Sequence, residues 1–209
     1  MNSNITTIII DMYGVILKER TGYFEAYTYQ HFPRSEEARL DKIFEEERLY
    51  TKAGYGEISS DELLARLGYS DPEYHMKDYI ENYLTLDKTF INFAEKYYEQ
   101  YDFVLLSTDV SEWSRYICEY YELDKYFKHK IVSGDVHCRK PDRKIYELTL
   151  ERAGKSAAEC LFVDDSITNI TAAKELGINT VLFNQFEEEY SGGQARDFAE
   201  LDKLLQECN

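Results

Sequence analysis

Five polar residues scattered along the chain make one chemical set: Asp11, Ser107, Lys140 and the adjacent Asp164 and Asp165. Each lies just beyond a run that reads as a buried strand. Ile8-Ile9-Ile10 precedes Asp11, Phe103 to Leu106 precedes Ser107, and Cys160-Leu161-Phe162-Val163 precedes the acidic pair. Lys140 sits in the loop after a strand expected around Lys130 to Ser133. In a parallel sheet, residues just past the carboxyl ends of the strands converge on one edge, where ligands bind. Three carboxylates, a lysine and a hydroxyl at such an edge suit a hard, oxygen-seeking cation and a phosphoryl group. For Asp11 alone the plainer reading is a carboxylate that caps the turn continued by Gly14.

The elements that would position these residues follow from periodicity. Thr6, Thr7 and three isoleucines make a β-branched run suited to a central strand buried on both faces. From about Lys18 to Leu86 the patterns are helical, without a buried strand. Ser35 with Glu36 and Glu37 predicts an N-cap, and Leu40, Ile43 and Phe44 then share one face. Ser59 and Glu62 have capping-box spacing ahead of Leu63, Leu64 and Leu67, and Gly68 ends that helix. Asp71-Pro72 opens another, with Met76, Tyr79, Ile80 and Tyr83 facing inward. From Asp87 onward helix and strand alternate: helices carrying Phe90, Phe93 and Tyr97, then Trp113, Ile117 and Tyr120, then Pro141 to Gly154, Asn169 to Leu176, and a last one with Phe198, Leu201 and Leu205. A further strand is expected at Thr180 to Phe183, and the stretch before the last helix reads as a charged turn region. The fold class is therefore α/β, a doubly wound parallel sheet with an inserted, small, all-helical domain. The core domain takes residues 1–17 and 87–209, and the insertion residues 18–86.

Composition narrows the partners. With 24 basic against 40 acidic residues the formal charge is −16, which repels nucleic-acid backbones and anionic membranes alike. Met1-Asn2-Ser3-Asn4 has no basic leader character and no apolar run suits a membrane span, so a cytoplasmic location is expected. Cys118, Cys138, Cys160 and Cys208 are far apart and are expected to be reduced thiols, Cys138 being an incidental loop residue. Glu45-Glu46-Glu47 and Glu187-Glu188-Glu189 read as solvated faces, and the many tyrosines of the insertion as core or interface. Gly54-Tyr55-Gly56 is the one flexible loop that would present a tyrosine to a ligand. His31, His75 and His129 show no metal-ligand spacing, and His137 reads as an exposed loop residue.

Taken together, the motifs resemble the four of the haloacid dehalogenase-like (HAD) superfamily. They are Asp11-Met12-Tyr13-Gly14-Val15; Leu105-Leu106-Ser107; Gly134 through Lys140-Pro141-Asp142; and Phe162-Val163-Asp164-Asp165-Ser166, continued by Asn169 and Ala172-Ala173. The helical insertion resembles the C1 cap of members that act on small molecules. The resemblance implies a HAD-like Rossmannoid core and a Mg²⁺-dependent phosphatase acting on a small phosphorylated metabolite. Asp11 would be the nucleophile forming an aspartyl-phosphate, and Ser107, Thr108 and Lys140 would bind the transferred group. Asp11, Asp164, Asp165 and the backbone carbonyl of Tyr13 would hold Mg²⁺. One position departs from the pattern: phosphatases of this superfamily usually carry an aspartate acid/base where this chain has Tyr13. A phenol with an ordinary pKa of about 10 is a poor base at neutral pH. Tyrosine there also resembles the 2-haloacid dehalogenases, which need no metal and lack the acidic pair. Three readings stay open: a phosphatase, slow if nothing replaces the acid/base; a phospho-ligand-binding protein; and a dehalogenase.

Overall fold

The computed structural model describes residues 4–20 and 22–207. The readings made on Met1 to Ser3 and on Cys208 lie outside the described residues. Strand β1 (Thr7–Ile10) opens the sheet and is buried at every position. The chain then enters the insertion, with helices α1 (Tyr23–His31), α2 (Glu37–Asp41, running on into a wide turn over Lys42–Glu46), α3 (Leu49–Gly54), α4 (Ser60–Leu67) and α5 (Pro72–Asp78, prolonged by a turn over Tyr79–Tyr83). It returns through α6 (Lys88–Tyr97), β2 (Asp102–Ser107), α7 (Ser111–Tyr120), β3 (Phe127–Val132), the single turn α8 (Ser133–Val136) and α9 (Arg143–Ala153). The last elements are β4 (Cys160–Asp164), α10 (Ile167–Glu175), β5 (Asn179–Phe183), β6 (Gln194–Ala195) and α11 (Phe198–Gln206).

The strands form one parallel sheet in the order β3-β2-β1-β4-β5-β6. Strand side chains alternate between faces, and each face has its own apolar layer. Ile8, Ile10, Phe103, Leu105, Leu161 and Val163 join Phe90, Trp113, Phe198 and the insertion in one cluster. Ile9, Val104, Leu106, Phe162 and Leu182 join Ile145, Tyr146, Ile170 and Ala173 in the other. The chain leaves β1 for β2 on one side and later returns to β4 on the other. The crevice at this reversal, between β1 and β4, is where doubly wound sheets bind ligands.

Within the insertion, Ser59 Oγ accepts from the Glu62 amide at 3.1 Å, Gly68 closes α4 with a positive φ of 102°, and Asp71 accepts from the Tyr74 amide at 3.1 Å. The cap expected at Ser35 is absent. That residue sits inside a 3₁₀ turn, Arg34–Glu36, that follows Pro33, because proline's fixed φ sets the entry one residue earlier. β3 starts at Phe127, three residues before the expected position, and Ser133 begins α8 instead of ending the strand. The charged turn region contains β6, two residues too short to show periodicity.

The insertion is seated on the core by specific bonds. Trp113 Nε1–H donates to Ser60 Oγ at 2.7 Å, Ser133 Oγ to the Gly54 carbonyl at 2.5 Å, and His137 Nδ1–H to the Tyr55 carbonyl at 2.8 Å. The loop expected to be free is therefore docked, and Gly56 passes so close to the Gly134 carbonyl that a Cβ would collide with it. Ser60→Ala would leave the buried Trp113 N–H unpaired, at a cost of about 1–3 kcal/mol. Urea unfolding followed by fluorescence of Trp113 should show that loss. A change below about 0.5 kcal/mol would mean that the bond contributes little.

Candidate active site

β1 and β4 run side by side with Ile10 opposite Val163, so the next residues, Asp11 and Asp164, emerge together from the sheet. Lys140, from the loop between α8 and α9, reaches across both. Its Nζ lies 2.6 Å from Asp11 Oδ1 and 2.7 Å from Asp164 Oδ2, with 2%, 7% and 0% of the respective side chains exposed. Asp164 is further held by the Ser166 amide at 2.8 Å and by Asn169 Nδ2 at 3.0 and 3.2 Å. Asp11 Oδ1 also accepts from the Met12 amide at 2.7 Å, so the turn-capping reading is correct as far as it goes. Asp165 is bound by Arg20 Nε at 2.7 Å, and Arg20 also bonds Glu188 at 2.8 Å, so that glutamate is not simply a solvated face. Gly14, at φ 73°, passes so close to Asp165 that a Cβ would strike its carboxylate.

Asp11, Thr108, Lys140 and Asp165 line a cleft of about 450 Å³ together with Arg20, Arg139, Ser166 and Asn169. Ser107 is fully buried at the end of β2, and neither its hydroxyl nor that of Thr108 has a partner among the described residues. The Tyr13 side chain takes another course. It is 2% exposed, packs in the apolar layer under the insertion, and donates from its hydroxyl to Asp109 Oδ1 at 3.3 Å. Burial and then Asp109 push its pKa well above the ordinary phenol value. The structure thus brings Asp11, Lys140, Asp164, Asp165 and Thr108 together, and leaves the Tyr13 phenol outside the cleft lining.

Residues 5–177 match the haloacid dehalogenase-like hydrolase family. The chain belongs to that family. This HAD hydrolase is similar in fold to a HAD phosphatase of Thermococcus onnurineus, with a TM-score of 0.75, 21% identity, and 96% and 98% of the two chains covered. A HAD enzyme of Bacteroides thetaiotaomicron, solved with magnesium and inorganic phosphate, superposes with a TM-score of 0.73 at 20% identity over 90% and 98%. A 2-haloacid dehalogenase of Pseudomonas syringae reaches 0.72 at 12% identity over 98% and 100%, so the fold is common to both chemistries. Two curated relatives match over short stretches. A sesquiterpene phosphatase of Aspergillus oryzae is 48% identical over 40 residues, 19% of this chain, and a drimenol cyclase of Aspergillus calidoustus is 32% identical over 87 residues, 42% of this chain. Those stretches are 20% and 14% of the relatives' own lengths.

The carboxylates of this hydrolase shift one another's titration. One ligand oxygen from each of Asp11, Asp164 and Asp165 lies within 4.8 Å of the others, an all-oxygen set of the kind Mg²⁺ takes. Burial raises the Asp11 pKa well above the ordinary range; Lys140 opposes this, while Asp164 and Asp165 add to it. Asp165 is raised as well, by burial and by Asp164, against the pull of Arg20. Lys140 loses solvation on burial, but its two carboxylate partners outweigh that and its pKa rises, so it remains an ammonium. Lys140 bridges Asp11 and Asp164, while Asp165 is paired with Arg20.

Sequence reasoning missed three residues here. Arg20 and Arg139 lie in stretches whose proximity to the acids only folding creates. Asp109 was visible at the end of Ser107-Thr108-Asp109, but its burial beneath the insertion was not. It lines a second cavity of about 200 Å³ that shares Thr108 and Arg139 with the cleft. Burial raises the Asp109 pKa from 3.8 to about 7, against the hydrogen bonds from Ser114 and Tyr13. Between those values the folded protein holds a proton that the unfolded chain has released, so stability falls as pH rises from about 4 to about 7. Asp109→Asn should remove that share of the slope, on the order of a few kcal/mol across the window. Denaturation at several pH values in chelator checks it; an unchanged slope would place the titration elsewhere.

Proposed function

We propose that this protein is a Mg²⁺-dependent phosphatase that hydrolyses a small phosphomonoester through an aspartyl-phosphate on Asp11. The observation that carries this reading is the convergence on one cleft of Asp11, pinned through Oδ1 by Lys140 and the Met12 amide, with Asp164 and Asp165, one ligand oxygen of each of the three lying within 4.8 Å of the others. A carboxylate held in this way is oriented for attack. Asp11, Asp164, Asp165 and the Tyr13 backbone carbonyl would hold Mg²⁺, which supplies charge neutralisation between the phosphate dianion and the attacking carboxylate. The Ser107 and Thr108 hydroxyls, unpaired in the structure, are suited to donate to the phosphoryl oxygens, with Lys140 adding positive charge. The Asp11 carboxylate bonds to phosphorus as the ester P–O bond breaks, and the leaving alkoxide takes its proton from solvent. Water then attacks the same phosphorus, giving up a proton to solvent, the P–O bond to Asp11 breaks to restore the carboxylate, and inorganic phosphate departs. Residues 18–86 act as the cap over residues 1–17 and 87–209, excluding water in the first step.

Tyr13 supports a second reading, a phospho-ligand-binding protein with slow turnover, because its phenol is buried against Asp109 with a raised pKa. General acid or base assistance is worth about 10²–10⁴-fold in rate, and the carboxylates and lysine of the cleft lining, Asp11, Asp165 and Lys140, already serve in this reading as nucleophile, metal ligand and charge partner.

Phosphate release from a panel of sugar phosphates, an aryl phosphate and an isoprenoid monophosphate should require Mg²⁺ and stop in chelator. Asp11→Asn should lower the rate on the order of 10³-fold or more. Retained activity would exclude the proposed nucleophile, and binding without release across the panel would favour the second reading. Chelator-insensitive chloride release from 2-chloropropionate would instead establish a dehalogenase. Tyr13→Phe keeps the packing and removes the hydroxyl, so its rate should stay close to that of the parent protein. A fall of about 10²-fold or more would assign proton transfer to the phenol.

A further inference from the structure

Away from the cleft, in the insertion, two histidines and an aspartate that showed no relation in the sequence meet. His75 and Asp78 lie three residues apart on α5 and so share one face of that helix, while His31 is the last residue of α1. One ring nitrogen from each histidine and one carboxylate oxygen of Asp78 lie within 4.8 Å of one another. His31 Nε2 is 3.8 Å from Asp78 Oδ2. Ligand atoms at the corners of a tetrahedron with bonds of about 2.0–2.1 Å are separated by roughly 3.3 Å, so side-chain adjustments of about an ångström would close the set around one ion. We propose that His31, His75 and Asp78 form a binding site for a divalent transition ion of the zinc class, with solvent completing the fourth position.

The surroundings prepare these side chains as ligands. His31 Nδ1 lies 2.8 Å from the Tyr27 carbonyl, which only accepts, so this nitrogen carries the proton and Nε2 presents its lone pair toward Asp78. Asp78 is oriented through both oxygens, Oδ2 by the Tyr27 hydroxyl at 2.9 Å and Oδ1 by Asn82 Nδ2 at 3.0 Å. His75 Nδ1 lies 3.1 Å from the same Tyr27 hydroxyl. Tyr69 packs against His75 at 4.3 Å between ring centroids, and Tyr83 against Tyr27 at 4.7 Å, forming an apolar wall. The opposite side is open: a quarter of the His31 side chain is exposed, which gives the ion a way in. Two imidazoles with one carboxylate suit zinc, whereas the all-carboxylate set at the sheet edge suits magnesium.

Bound metal would clamp the end of α1 to α5. α1 begins beside Gly22, which with Glu25 lines the 200 Å³ cavity next to the cleft, so the clamp would fix one wall of that cavity.

The test uses the whole protein, stripped with chelator and returned to buffer with saturating Mg²⁺. Titration with ZnCl₂ by calorimetry should show one equivalent bound with a dissociation constant on the order of micromolar or tighter, and Co²⁺ should give the visible spectrum of a four-coordinate nitrogen and oxygen site. Zinc should also raise the melting temperature. His31→Ala should weaken zinc binding by about 10-fold or more and abolish the thermal shift, without changing Mg²⁺-dependent activity. Asp78→Asn, which still accepts the Tyr27 hydrogen bond, should do the same and guards against a folding defect in the alanine variant. Asp11→Asn should leave the zinc titration unchanged. The proposal fails if binding is no tighter than about 1 mM, if it survives both insertion variants, or if it is lost in Asp11→Asn.

Discussion

A buried ammonium between two buried carboxylates is the interaction on which the rest of this structure depends. Lys140 meets Asp11 and Asp164 at 2.6 and 2.7 Å where almost no solvent reaches any of the three. Removing such charges from water costs several kcal/mol each, and the cost is offset only where partners are close and the remaining lone pairs are satisfied. The Ser166 amide and Asn169 do this for Asp164. The Met12 amide does it for one oxygen of Asp11. The arrangement in turn requires β1 and β4 to be neighbours in register, which the order β3-β2-β1-β4-β5-β6 provides.

The insertion is tied to this edge by a largely aromatic layer. Phe24, Tyr79 and Trp113 pack at centroid separations between 4.6 and 5.5 Å, and Trp113 belongs to the core while the other two belong to the insertion. Tyr13 is drawn into the same layer, which explains why the residue that departs from the phosphatase pattern does so without disturbing the carboxylates. Its ring contributes apolar area, and its hydroxyl finds Asp109 rather than the cleft. Two guanidiniums line the cleft of this protein of formal charge −16, Arg20, held by Asp165 and Glu188, and Arg139.

The sequence by itself determined the alternation of helix and strand and the sheet class, and it marked Asp11, Lys140, Asp164 and Asp165, which the fold brings together, as well as Ser107, which lies buried at the end of β2. Strand burial leaves long apolar runs, and residues at the ends of those runs are marked by their position alone. Caps such as Ser59 and Asp71 were equally legible, because the bonds they make span three residues. Tertiary structure alone decided what depends on contacts between distant segments. It buried Asp109, placed Arg20 on Asp165 across 145 positions, turned the Tyr13 phenol away from the cleft lining, and docked the Gly54 to Gly56 loop. It also brought His31 to His75 and Asp78, a grouping without a local signal because its members come from two helices. Periodicity reports which face of an element is apolar. The partner that a polar side chain on that face will meet is fixed only when the elements pack.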